Sequence, residues 1–161
     1  MIIVMGVSGC GKTTIGQALA KQLHLPYYDA DDFHPQSNID KMKNAIPLTD
    51  DDRMPWLTRL ANRIKAWDEQ GGGVLSCSAL KESYRNLLAS KCADIIWVYL
   101  KGSFELIQSR LEEREGHYMK SALLQSQFDA LEVPDYGIHI PIENTPEQII
   151  SEIISKLKTY G

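Results

Sequence analysis

The sequence predicts an α/β fold: a mainly parallel β-sheet with helices on both faces. Three observations carry that prediction. Short β-branched apolar runs, Ile2-Ile3-Val4-Met5 and Ile95-Ile96-Trp97-Val98-Tyr99-Leu100, read as strands buried on both sides. Segments with apolar residues at helical spacing alternate with these runs. No repeat, low-complexity stretch or linker interrupts the 161 residues, a length that suits one domain around one core.

The elements follow in order. Ile2-Ile3-Val4-Met5 is closed by Gly6, and from Lys12 onward Ile15, Ala18, Leu19 and Leu23 recur at helical spacing. Pro26-Tyr27-Tyr28-Asp29 reads as a short second strand ending in acids, and residues 36–44 as a short helix. A longer helix carries Trp56, Leu57, Leu60, Ala61, Ile64 and Trp67 on one face. Its start has two readings: Thr49 and Asp52 can form a capping box, whereas Pro55 belongs in a first turn. Gly71-Gly72-Gly73 breaks that helix before a third strand, Val74-Leu75-Ser76-Cys77. Helices are expected over about 80–90, 103–114 and 121–131, a last strand over 138–142, and a closing helix on Ile149, Ile150, Ile153, Ile154 and Leu157. Trp56, Trp67 and Trp97 read as core.

Bulk properties narrow the function classes. Seventeen basic against twenty-one acidic side chains give a net charge of −4, which argues against a nucleic-acid partner. Cys10, Cys77 and Cys92 are odd in number and lack metal-ligand spacing, so reduced thiols in a cytoplasmic protein are expected. No apolar stretch approaches the roughly 20 residues of a membrane span, and no charged n-region precedes the first one.

Gly6-Val7-Ser8-Gly9-Cys10-Gly11-Lys12-Thr13 matches G-x-x-x-x-G-K-[ST] in full, between a buried strand and an amphipathic helix. Glycines let the chain curl so that N–H groups converge on a phosphate, and the helix N-terminus adds its positive dipole end. Lys12 reaches toward β- and γ-phosphates, and the Thr13 hydroxyl, followed by Thr14, can serve Mg²⁺ and the nucleotide. A P-loop NTPase fold follows. A GTPase would show N-K-x-D, which is absent, and Asp68-Glu69-Gln70-Gly71 fits D-x-x-G only at a helix end. The strands ending Ser76-Cys77-Ser78 and Leu100-Lys101-Gly102 carry no Walker-B carboxylate. The acids lie after the second strand instead, which favours a kinase over a regulatory NTPase.

Asp29-Ala30-Asp31-Asp32-Phe33-His34-Pro35 falls where the second strand delivers residues to the ligand-binding edge of an open sheet. Strand alternation would send Asp29 and Asp31 to one side and Asp32 away. Asp31 is then the base toward an acceptor hydroxyl and Asp29 the residue nearer the metal's waters. The alternative is an ordinary acidic turn, and His34 alone reads as a turn residue.

Four blocks together resemble the gluconate kinases. They are residues 29–39 with Lys41-Met42; Pro47-Leu48-Thr49-Asp50-Asp51-Asp52-Arg53 with Pro55-Trp56-Leu57; Cys77-Ser78-Ala79-Leu80-Lys81 with Tyr84-Arg85; and Arg110 through Arg114 and Gly116-His117-Tyr118-Met119 to Ser126-Gln127-Phe128 and Leu131-Glu132. The resemblance runs from the phosphate loop to about residue 134. It implies a fold similar to nucleoside monophosphate and shikimate kinases, with a substrate helical region at about 36–70 and a lid at about 110–125. It also implies transfer of the ATP γ-phosphate to the 6-hydroxyl of D-gluconate with Mg²⁺, in an enzyme that is often a homodimer.

The acceptor side would comprise Asp31, His34, Arg53, Lys81, Arg85 and His117. Arg53, Lys81 and Arg85 compete to hold the substrate carboxylate, because a planar guanidinium grips carboxylates bidentately. Otherwise Lys81 and Arg85 lie on a solvated helix face, and Arg53 balances three aspartates. Arg110 and Arg114, four apart on one helix, suit an anion lying over them, Arg110 on ATP and Arg114 in catalysis. Cys10 departs from the family pattern and would set an oxidisable thiol near the phosphates. The rival functions are a kinase of the same fold with a shikimate-like acceptor, and a nucleotide-dependent regulator.

Overall fold

In the computed structural model, which describes residues 1–113 and 121–160, five strands form one sheet in which every neighbouring pair is parallel. β1 (Ile2–Met5), β2 (Tyr27–Asp29), β3 (Val74–Ser76), β4 (Ile96–Lys101) and β5 (Ile138–Pro141) are ordered β2-β3-β1-β4-β5. β1 is central, and its register sets Ile3 beside Leu75 on one side and Trp97 on the other.

Period-two alternation divides each strand between two apolar layers. Ile2, Val4, Val74, Val98 and Leu100 pack on one face, against Ile15 and Leu19 of α1 (Lys12–Leu23), Ile107 of α5 (Phe104–Glu113), Leu124 of α6 (Ser121–Ala130) and Ile149, Ile150 and Ile153 of α7 (Pro146–Thr159). Ile3, Met5, Leu75, Trp97 and Tyr99 pack on the other, against α3 (Asp50–Glu69) and α4 (Glu82–Leu88). The three tryptophans lie in this second layer, as expected. α2 (Gln36–Lys43) bridges the end of β2 and the start of α3. Among the described residues no helix is long and apolar enough to cross a membrane.

Thr49 settles the start of α3. Its hydroxyl accepts from Asp52 N, and the Asp52 carboxylate accepts from Thr49 N at 2.9 Å, so the capping box sets the boundary. Pro55 therefore sits inside the helix, past its first turn.

Arg85 corrects an expectation. On α4 it is 2% exposed and not on a solvated face. Nη1 donates to the carbonyls of Ala79 (2.6 Å) and Leu80, Nη2 to the carbonyl of Glu132 (2.6 Å) and to Glu82, and Nε to Glu82 and the Tyr136 hydroxyl. All three nitrogens are engaged within the protein, so no fork is left for a substrate carboxylate. The residue clamps the β3–α4 connection to the chain after α6. That connection includes Ala79 at φ 46°, a left-handed conformation costly for a residue with a Cβ.

Removing such a partner exposes buried carbonyls to an apolar surrounding. Arg85→Met should lower unfolding free energy by roughly 3–5 kcal/mol, as when one member of a buried ionic cluster is lost. Urea denaturation measures this. A change below about 1 kcal/mol would show that the clamp is dispensable.

Candidate active site

The phosphate loop leaves β1 at the middle of the sheet, where the ends of β3 and β4 flank it. Gly9 and Gly11 sit at φ 84° and 100°, and a Cβ on Gly9 would lie 2.8 Å from Leu111 of α5, so glycine is required there on both counts. Ser76 at the end of β3 donates its hydroxyl to the Lys12 carbonyl at 2.8 Å, fixing the first turn of α1 against the sheet. Gly11 caps α1 without a side-chain bond. The first N–H groups of that helix are thereby open to an anion.

Two clefts meet on this loop. The first, about 170 Å³, is walled by Ser8, Lys12 and Thr13 on one side and by Asp29, Asp31 and Ser78 on the other. The second, about 430 Å³, lies on the loop's outer side between Cys10, Ile15, Arg110, Asn144, Pro146 and Ile149. Gly9, Gly11 and Thr14 line both. The first is polar and the second mixes apolar and polar groups, which suits phosphates in one and a nucleoside in the other.

Asp29 ends β2, and its carboxylate accepts from Asp31 N at 2.9 Å, capping a 3-10 turn over Ala30–Phe33. Asp31 is therefore not on a strand, and alternation does not place it. The turn brings both aspartates into the cleft, the arrangement expected, by a different geometry. Desolvation by the cleft walls raises the pKa of each; for Asp31 the Lys12 charge opposes the shift and Asp32 adds to it. Lys12 Nζ donates to the Val7 carbonyl at 3.1 Å.

His34 is placed behind the cleft rather than in it. Its side chain is 4% exposed, stacked on Trp56 at 4.1 Å, with Nδ1 3.2 Å from Asn38 Nδ2 and Nε2 3.8 Å from Asp31. Asn38 also donates to the Asp52 carbonyl, so His34 fastens the 3-10 turn to the start of α3. Burial, reinforced by the nearby Arg53 charge, lowers its pKa to about 4 and keeps it neutral. A direct contact between His34 and substrate does not fit this burial.

Arg53 and Lys81 converge around Tyr84. Arg53 Nη1 donates to the Leu48 carbonyl at 2.8 Å and, at 3.4 Å, to the Tyr84 hydroxyl, with its guanidinium 5.6 Å from that ring. Lys81 pairs with Asp50 at 3.3 Å, and Tyr84 donates to the same carboxylate, which holds Asp50 below its usual pKa. Arg110 does reach the nucleoside cleft, anchored by a 2.6 Å bond to the Ile142 carbonyl. Arg114 and His117, with residues 114–120 of the expected lid, lie outside the described residues.

Cys10 is 2% exposed, and burial raises its pKa, so the expected oxidisable thiol is shielded. Burial pushes Cys77, at the foot of the first cleft, up to about 12. Sequence reasoning missed Asn144 and Pro146 of the nucleoside cleft. A signal existed: Thr145-Pro146-Glu147-Gln148 is a capping box with proline in the first turn, which fixes the start of α7 at that cleft.

The shikimate kinase family model matches residues 8–158. The thermosensitive gluconokinase of Escherichia coli (strain K12) is 46% identical over 133 residues, 82% of this chain and 71% of that protein. The gluconokinase of Arabidopsis thaliana is 40% identical over 170 residues, 96% and 90% of the two chains. The chain belongs to the gluconokinase family. A crystal structure of a gluconokinase from Sinorhizobium meliloti 1021 superposes with a TM-score of 0.91 at 39% identity, covering 98% of this chain and 91% of that one. Membership in the gluconokinase family makes the parallel sheet with its loop after β1 a P-loop kinase fold, as the sequence predicted.

His34 gives a pH signature. Its folded pKa lies below the ordinary 6.5, so between pH 6.5 and about 4 the unfolded chain binds the extra proton. The stability this burial secures is complete above pH 6.5 and is lost as pH falls toward 4, by an amount on the order of 3 kcal/mol. His34→Phe keeps the stack on Trp56 and removes the titration. The stability gap between the two proteins, measured in urea, should therefore shift in the variant's favour as pH is lowered through this range. A gap independent of pH would refute the assignment.

Proposed function

We propose that the protein is a gluconokinase, transferring the γ-phosphate of Mg·ATP to the 6-hydroxyl of D-gluconate to give 6-phospho-D-gluconate and ADP. The observation that carries the reading is the meeting of Lys12, Asp29 and Asp31 in one cleft, with Arg53 and Lys81 gathered on Tyr84. Relatives named gluconokinase, 38–46% identical over most of the chain, support it.

Each residue takes a role. The loop N–H groups and Lys12 hold the phosphates, with Arg110 on the nucleoside side. The residues present fit Mg²⁺ held largely through water and phosphate oxygens: the Thr13 hydroxyl and the Asp29 carboxylate supply oxygens from facing walls of the cleft. Among the described residues no cluster of three acidic, histidine or cysteine side chains forms a metal cage by itself. Bound Mg²⁺ would neutralise charge on the transferring group. Asp31 orients the acceptor hydroxyl and takes its proton late in transfer. Arg53 and Lys81 are the remaining cations for the gluconate carboxylate now that Arg85 is committed elsewhere. Arg53 is preferred for its planar fork, whose Nε and Nη2 make no bond among the described residues. Arg114 and His117 act from the lid, which closes over both substrates. The enzyme works in the cytoplasm, as a homodimer, without nucleic-acid or membrane partners.

An ATP-consumption panel with gluconate, shikimate, nucleoside monophosphates and no acceptor separates the three readings. Turnover with gluconate alone is expected. Preference for shikimate would move the enzyme to the rival acceptor, and acceptor-free hydrolysis would favour a regulator. Asp31→Asn keeps the shape and removes the charge, so kcat should fall about 10²-fold while both substrates still bind. Recovery of the rate with rising Mg²⁺ would exchange the roles of Asp31 and Asp29, and an unchanged kcat would remove Asp31 from the reaction.

A further inference from the structure

Gln127 on α6 touches the phosphate loop at a single residue and at both ends of its carboxamide. Oε1 accepts from Ser8 N at 2.7 Å, and Nε2 donates to Ser8 Oγ at 2.9 Å. The pairing joins positions 119 residues apart, and Ser8 N is one of the N–H groups of a loop built to receive phosphate oxygens. A neutral amide oxygen thus holds a donor that an anion can also take.

The position of Ser8 says which phosphate. The nucleoside cleft and the acceptor cleft share Gly9 and Gly11, so a nucleotide running from one to the other passes over those residues. Ser8 lines the acceptor cleft and not the nucleoside cleft, opposite Asp31. The last phosphate along that path, the one adjoining the acceptor, is therefore the one that arrives at Ser8. Two phosphates end short of it.

The geometry points to Gln127 as a further residue of the phosphate site, one that reads the terminal phosphate. When that phosphate takes the Ser8 N–H, the carboxamide surrenders its acceptor contact and turns its Nε2–H onto a terminal phosphate oxygen. A carboxamide can make this exchange because it carries a donor and an acceptor on one rigid plane. It also adds no charge to a cleft already holding the carboxylates of Asp29 and Asp31. The same exchange ties α6, and with it the chain that follows the lid, to the presence of a third phosphate. The inference rests on the kinase reading of the loop but not on the identity of the acceptor.

Binding of ADP and of a non-hydrolysable ATP analogue, each with Mg²⁺, tests it by titration calorimetry on the full chain. In Gln127→Ala the analogue should bind roughly 10-fold more weakly, and ADP within about two-fold of normal, because one hydrogen bond to a charged oxygen is lost. Gln127→Glu has nearly the same size, so it serves where the alanine variant fails to fold. It replaces the donor with a negative charge and should weaken the analogue further while again sparing ADP more than the analogue. Equal changes for the two nucleotides, no change for the analogue, or tighter binding of both would overturn the assignment and leave the amide as a structural brace between α6 and the loop. Neither titration contains an acceptor, so a negative gluconate result in the turnover panel and a negative result here are separate failures.

Discussion

The structure depends on one constraint: a run of backbone N–H groups must converge at the edge of a sheet, bound to the protein weakly enough for an anion to take them. An unpaired buried N–H costs about as much as a lost hydrogen bond, so such a loop persists only where the surrounding fold leaves it no better option. Placing β1 at the centre of five parallel strands achieves this. Both neighbours of β1 are taken by β3 and β4, and the chain leaving it finds no strand to join: Gly6 N donates to the Ser78 carbonyl, Cys10 N to the Val7 carbonyl and Ser8 N to Gln127. The alternating apolar residues of β1 are then buried twice, with Ile2 and Val4 in one layer and Ile3 and Met5 in the other.

Charge follows from the same placement. An anionic ligand must enter a cleft that also holds carboxylates: Asp29 and Asp31 line it together with Lys12, and the Asp32 charge lies close behind them. Burial in the cleft raises the pKa of Asp29 and Asp31, and repulsion from the Asp32 charge adds to the shift. A divalent cation and a phosphate chain arriving together resolve that repulsion better than either does alone. The arginines are sorted by solvation around this centre. Arg85, surrounded by carbonyls and Glu82, is a buried structural fork, whereas Arg53 stands half-buried beside Tyr84 with one nitrogen engaged.

The strands and helices were legible because each apolar run obeys one period, and the phosphate loop because its residues are contiguous. Boundaries were legible where a cap is local: Thr49 with Asp52 could be read, although Pro55 argued against it. What escaped the sequence depends on partners distant along the chain. Arg85 looks like any arginine on a helix until Ala79, Glu132 and Tyr136 are brought to it. His34 reads as a turn residue, yet its ring is fixed by Trp56 and Asn38. Asp31 was assigned to the cleft through strand alternation that does not hold, because Asp29 starts a 3-10 turn by capping it. The assignment survived because a tight turn returns Asp31 to the same side. The nucleoside cleft was missed since Asn144 and Pro146 meet Ile15 and Arg110 only in the folded chain.

The loop is shaped from three directions, and this bears on how it can respond to a ligand. Cys10 packs beneath it, so close that a Cβ on Gly6 would lie 2.7 Å from its sulfur. Leu111 of α5 presses on Gly9 from one side, and Gln127 of α6 bonds to Ser8 from another. The contact from below is apolar and buried, and it lies in the layer shared with β1, so it cannot yield without disturbing the core. The other two come from the helices on either side of the expected lid. A ligand that pushes on the loop therefore moves α5 and α6 before it moves the sheet. The loop is coupled to α5 and α6 through Leu111 and Gln127, one a packing contact indifferent to charge and the other a polar contact that a phosphate can replace. Of the two, only the polar contact distinguishes a filled loop from an empty one, because van der Waals contact with Gly9 is the same whichever anion the N–H groups hold.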